Sequence, residues 1–274
     1  MFSTQFERLF SFSFLYYLTH FLPLKRRALS FIFCPLVHPL KLDKTPLIWY
    51  NQPEKSLKTR KGKHMHIPSA PTSLLNIIPF NELLECALLP SEEYDVSKWL
   101  FVPNAYDEYR YILGTRGKNP LICIGINPST AKPDDLDNTL KSVERIALGN
   151  GYDSFIMFNV YAQRATKPSD MDTVLNAQLH KENMAAFEYI LSSCKDAPPC
   201  IWAAWGNIIE MRPYLKDCVS DMLTIGNKYS ARWFSCGAIS KKGHPHHPLY
   251  LRSDSPLDSF DADLYLRSTL KSIL

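Results

Sequence analysis

The chain has 274 residues, of which 46% are apolar and 21% charged, with a formal net charge of +4. That length can bury one substantial core with an accessory segment. The charge is divided: residues 1–64 hold 11 Lys/Arg against 3 Asp/Glu, whereas residues 65–274 hold 20 against 24. The mild acidity of the larger part weighs against non-specific nucleic-acid binding along a broad basic face, which needs many Lys/Arg–phosphate contacts, but leaves room for a local positive groove.

The seven cysteines (34, 86, 123, 194, 200, 218 and 236) are odd in number, widely spaced and form no CxxC. Zinc is therefore not expected, and no other metal or cofactor either. A cysteine inside an apolar strand, such as Cys123, behaves as a small hydrophobe. The simplest compartment is a reducing one, so a cytoplasmic location is expected.

Residues 1–40 carry two apolar runs, Phe10–Leu24 and Ala28–Leu40, separated by Lys25, Arg26 and Arg27. Each is shorter than the roughly 20 residues needed to cross a bilayer. The positive charge mostly follows the first run, the reverse of a secretory signal. Residues 41–64 read as a basic linker. The expected division is a basic and apolar extension over 1–64 and a single α/β domain over 65–274. The extension reads either as a membrane-surface anchor or as a stretch outside the working protein, with the true start at Met65. No dedicated membrane partner is expected.

From Met65 the composition becomes that of an ordinary domain. A short helix is predicted at Asn81–Leu89 and a short strand over Tyr109–Leu113, with Arg110 and Ile112 on the face opposite Tyr109 and Tyr111. Gly114–Asn119 reads as a hairpin-like turn into a core strand, Leu121–Ile124. Asp137 or Asn138 caps a helix to Ala147, which ends at Gly149-Asn150-Gly151. A second core strand, Ser154–Val160, precedes a helix that starts over Ser169–Asn176 and continues from Asn176 or Leu179 to Ser192. The third strand is Pro198–Trp205, followed by a helix at Tyr214–Leu223. The fourth strand is Arg232–Cys236, and a helix-like tail covers Leu257–Leu274. Strands alternating with helical crossovers predict a three-layer α/β sandwich around a mostly parallel sheet of about four strands.

Parallel strands would place their polar ends on one edge, where ligands bind in open α/β sheets. Those ends hold Asn127, Ser129 and Thr130; Asn159; Gly206 and Asn207; and the loop from Lys241 to His247. Asn127 and Asn159 can each donate and accept, as reading the edge of a planar base or amide requires; a strand-end asparagine can equally serve backbone groups. In the last loop His244, His246 and His247 lie within four positions, stiffened by Pro245 and Pro248. Lys241, Lys242 and His244 suit a phosphate, as does Arg164 after the second strand. A histidine here can act as an acid or electrophile near neutral pH. No P-loop, dinucleotide fingerprint or GxSxG elbow is present.

YRYILGTR (Tyr109–Arg116), GINPSTA (Gly125–Ala131), Asp137-Asn138-Thr139, FNVYAQRAT (Phe158–Thr166), AWGN (Ala204–Asn207) and GHPHHPLYL (Gly243–Leu251) together resemble the bacterial domain of unknown function 1643 family, over roughly residues 105–255. A weaker resemblance reaches the uracil-DNA glycosylase superfamily. GINPS is similar to the first motif of its mismatch-specific branch, which implies that Asn127 positions the attacking water. FNVYAQ resembles the strand whose asparagine reads the pyrimidine edge, implying that role for Asn159. WGN is similar to the superfamily's tryptophan-glycine strand end. The late loop resembles its histidine motif, best placed on His247-Pro248, with His244-Pro245 as the other register. Leu249 stands where a serine is expected, and Ser129 where that branch has a glycine.

The resemblance implies a uracil-DNA-glycosylase-like fold and hydrolytic, N-glycosidic excision of a base from nucleic acid. Asn127 and His247 would be the catalytic residues, with His247 stabilising charge on the departing base. Asn159, Ser129, Thr130, Gly206 and Asn207 would line the base pocket, and Arg164, Lys241, Lys242 and His244 would hold phosphate. The other expectation is a binding module that keeps the same pocket for a nucleotide or nucleic acid without chemistry.

Overall fold

The computed structural model describes residues 57–58 and 64–270. Both readings of the N-terminal extension fall on residues outside those described, apart from a two-residue ladder. There β1 (Leu57–Lys58) pairs antiparallel with β2 (His64–Met65).

The remaining strands form one seven-stranded mixed sheet. They are β3 (Trp99–Val102), β4 (Ile112–Thr115), β5 (Pro120–Gly125), β6 (Ser154–Asn159), β7 (Cys200–Ala203), β8 (Arg232–Cys236) and β9 (Leu257–Ser259). Their order across the sheet is β3-β4-β6-β5-β7-β8-β9. The inner four, β6-β5-β7-β8, are mutually parallel. β3 and β4 at one edge and β9 at the other run antiparallel to their neighbours. The helices are α1 (Phe80–Ala87), α2 (Asn138–Gly149), α3 (Ala177–Ser193), α4 (Tyr214–Lys228) and α5 (Ala262–Tyr265). Among the described residues no helix is long and apolar enough to cross a membrane.

Strands buried on both faces read as unbroken apolar runs, and alternation sorts each run between two layers. Leu121 and Cys123 of β5 join Phe155, Met157 and Trp202 in a cluster with Leu140, Val143, Ile146 and Ala147 of α2. Ile122 and Ile124, with Ile156, Phe158 and Ile201, face a second cluster built on α1, α3 and α4. The caps are local: Asp137 accepts from the Leu140 N–H at 2.9 Å, and Asn176 accepts from Gln178 and Leu179 at 3.0 and 3.1 Å.

Four expectations need correction. The sheet has seven strands rather than about four, because short edge strands are recruited by the unpaired backbone of β6 and β8. β9 carries no apolar alternation of its own; it lies in the stretch expected to begin a helical tail and pairs with Phe234–Cys236. The 114–119 turn is not a hairpin, since β6 lies between β4 and β5. The Tyr109–Leu113 stretch divides as well: Tyr109 makes an isolated bridge to Gln163, and β4 itself starts at Ile112.

Candidate functional site

Across the parallel core the chain leaves β5 toward β6 on one side, and leaves β7 toward β8 on the other. A crevice at such a reversal, outside the carboxyl ends of the two central strands, is the usual ligand position in this architecture. The polar ends stand along this edge in the order Asn159, Asn127, Gly206 and Gly237, from β6, β5, β7 and β8 respectively.

Asn127, half-buried, donates its amide nitrogen to the Ala165 carbonyl at 2.7 Å and to the Pro128 carbonyl at 3.1 Å. A planar amide with its nitrogen engaged by the backbone holds its Oδ1 in one direction. The loops after β5 and β6 run together: Val160, Tyr161 and Ala165 donate backbone N–H groups to Gly125, Ile126 and Pro128. Asn159 is 1% exposed. With its nitrogen turned to the β5 loop, its amide donates to the Asn127 and Phe158 carbonyls, each at 3.3 Å. Glycine at 125 leaves room for this: a Cβ there would lie 3.2 Å from the Asn159 amide and 2.6 Å from the terminal methyl of Met157, so both side chains would have to shift. Buried Asn183 of α3 donates to the carbonyls of Asn159 and Val160 at 3.0 and 3.3 Å, closing the end of β6.

The histidine loop is seated on the ends of β7 and β8. Gly206, at φ +62°, opens a 3₁₀ turn to Glu210, and His247 packs against it, with its Cβ 3.6 Å from where a Gly206 Cβ would stand. His247 is half-buried, and its Nδ1 accepts the Leu249 N–H at 3.2 Å, which puts the neutral ring's proton on Nε2. Burial, with His246 adding, holds the imidazole below its ordinary value of 6.5, while Asp137 opposes the shift. His247 is therefore a neutral Nε2–H donor at pH 7.

His244 stands elsewhere. Fully buried, it meets the Tyr265 hydroxyl through Nδ1 at 2.8 Å and Glu210 Oε1 through Nε2 at 3.0 Å. Tyr265 also accepts from Trp205 Nε1 at 2.9 Å, and Lys242 pairs with the other Glu210 oxygen. His246 is exposed, with its Nδ1 against the His247 carbonyl at 2.6 Å. Each imidazole faces a different partner.

Beneath the 127–131 loop lie two arginines. Arg164 donates its backbone N–H to Glu108, and Arg110 donates its own to Ala162, so both flank the Tyr109–Gln163 bridge on one face of a short antiparallel ribbon. Arg110 is 1% and Arg164 0% exposed. Both Nη1 atoms reach the Ala131 carbonyl, at 3.0 and 3.4 Å, and Arg164 Nη1 also meets the Ser129 carbonyl. The Arg164 guanidinium lies 4.3 Å from the Tyr106 ring centroid. Burial, with Arg164's charge adding, pushes Arg110 down to about 9, and burial pushes Arg164 down to about 10. Tyr106, Asp107, Glu108 and then Asp137, half-buried at the start of α2, oppose the Arg164 shift, and Asp137 and then Tyr106 oppose that of Arg110.

Of the residues expected at the site, Asn127, Ser129, Asn159, Gly206, His247 and Arg164 lie on adjoining strand ends or directly beneath them. Ser129 meets Thr166 Oγ1 at 3.2 Å, and Thr130 is half-buried. Asn207, Lys241 and Lys242 are exposed, and Lys242 is committed to Glu210 as His244 is. Arg110 was legible as a lone charge between two tyrosines, whereas nothing local marked Glu210 or Tyr265 as partners of His244.

A family model described as "Protein of unknown function (DUF1643)" matches residues 110–249. No curated protein and no solved structure matches the chain.

Proposed function

The chain belongs to the DUF1643 family, and from that premise we propose that the strand-end site receives a nucleobase and hydrolyses its N-glycosidic bond. The observation that carries this reading is the neutral His247, seated on Gly206, in the same edge as an Asn127 whose amide nitrogen is already engaged. In the reaction the C1′–N bond breaks, water adds its oxygen to C1′, and the water proton ends on the base. Asn127 Oδ1 orients the water, Asn159 meets the base edge from behind it, and Nε2–H of His247 faces the negative charge that grows on the departing base. A dissociative transition state asks little of a general base. Ser129, Thr130, Gly206 and Asn207 form the rim.

The motif resemblance to the uracil-DNA glycosylase superfamily supports this reading, as does a three-layer fold with parallel inner strands; the fold kinship belongs to the same proposal. Six described cysteines are free thiols, the state a reducing cytoplasm maintains.

The test uses the full chain on labelled single-stranded and mismatched duplex DNA bearing uracil, hypoxanthine or alkylated bases. Abasic product is expected, reduced by about 100-fold or more in Asn127→Ala. Substrate bound but never cleaved, with affinity lost in Asn127→Ala, would replace excision by the non-catalytic binding module. Neither product nor binding would sink both.

A further inference from the structure

We propose that Arg110 and Arg164 form a phosphate subsite, and that the ligand of the neighbouring strand-end site is a nucleotide with a terminal phosphate. The second half rests on the nucleobase reading above; the first does not.

The geometry is specific about which atoms are free. Each guanidinium spends Nη1 on loop carbonyls, and in both the Nε and Nη2 atoms are buried without a hydrogen-bond partner. Nε and Nη2 form the side-on edge of a guanidinium, the edge that grips two oxygens of an oxyanion at once. Both arginines thus keep the same two-pronged edge unspent while sharing one carbonyl, that of Ala131. Among the described residues neither enters an ion pair. Two adjacent cations at this depth are costly unless an anion joins them.

The oxygen count selects the anion. A carboxylate satisfies one fork. A phosphodiester offers two unesterified oxygens, and a terminal phosphate offers three and carries a second negative charge to set against the second guanidinium. The mildly acidic balance of residues 65–274 also disfavours a long phosphate track. The place is consistent with a nucleotide, since the carbonyls that hold the pair belong to Ser129 and Ala131, in the loop that carries Asn127.

Calorimetry on the full chain tests this with inorganic phosphate against chloride at matched ionic strength. Measurable phosphate binding is expected, weakened at least about tenfold in Arg110→Met and Arg164→Met. Should either variant fail to fold, the lysine replacements, which keep charge but lose the fork, should weaken binding about tenfold. Nucleoside 5′-monophosphates should then bind more tightly than nucleosides, and a 5′-phosphorylated oligonucleotide more tightly than its unphosphorylated form. No phosphate binding by the wild type, or binding unchanged in the arginine variants, overturns the subsite. Equal, arginine-dependent binding of both oligonucleotides overturns the terminal-phosphate assignment in favour of a phosphodiester. Phosphate binding without nucleoside binding upholds the subsite and removes the nucleobase reading instead. Asn127→Ala should leave inorganic phosphate binding intact, which separates the two failures.

Discussion

On the β8 side of the edge, His244 is enclosed between Tyr265 and Glu210, and Glu210 meets Lys242 at the surface, so both Glu210 oxygens and both His244 ring nitrogens have partners within the fold. On the β6 side, Arg110 and Arg164 are as deeply buried but spend their hydrogen bonds on carbonyls, with the Tyr106 ring against Arg164 and with Nε and Nη2 of each guanidinium unspent. The comparison separates polar residues that complete a scaffold from polar residues that await a partner. A satisfied buried network rigidifies what it touches, here the loop that presents His247. A buried pair that no ion pair joins among the described residues weakens the fold slightly in exchange for an anion grip.

On that contrast His244→Ala should have the largest effect, a loss of about 2–4 kcal/mol in urea unfolding, because the Tyr265 hydroxyl and Glu210 each lose a hydrogen-bond partner and a buried space opens. His246→Ala, exposed on the same loop, should move stability by no more than about 0.5 kcal/mol. Arg164→Met in phosphate-free buffer should fall within about 1 kcal/mol of wild type, or stabilise, since an apolar side chain of similar size relieves a buried charge. A loss comparable to that of His244→Ala would show both sides to be scaffold and erase the distinction.

The pH dependence separates the sides again. The His247 value is held below 6.5, so its neutral form contributes stability that is complete above 6.5 and declines as pH falls toward the lowered value. Base excision should follow the same limb, staying intact at pH 7 and failing on acidification, and His247→Gln should remove that limb by keeping a donor that does not titrate. Glu210 lies below its ordinary 4.5, chiefly through the His244 hydrogen bond and then Lys242, so its contribution is present above 4.5 and is lost as pH falls through the lowered value. A smaller effect belongs to Lys242→Ala. It removes a surface-exposed pair worth about 0.5 kcal/mol or less, and Lys241→Ala should be silent in both stability and phosphate binding.

Much of this was legible in the chain. The runs around Ile124, Phe158, Trp202 and Phe234 marked the four parallel strands, and Asp137 marked a helix start, because apolar period and capping are properties of near neighbours. The position of Asn127 and Asn159 on one edge followed once those strands were taken as parallel. The edge strands escaped because β9 has no pattern of its own and exists by pairing with β8.

By itself, then, the sequence determined the α/β layering, the parallel core and the edge on which the polar residues gather. Only the tertiary structure decided which histidine is enclosed and which is presented, and that Arg110 lies beside Arg164. Those outcomes depend on through-space meetings of residues far apart in the chain, His244 with Glu210 and Tyr265, and the 108–110 segment with 162–164. Whether a buried polar group is satisfied or left with a free donor is settled by those distant neighbours, and no local pattern records it.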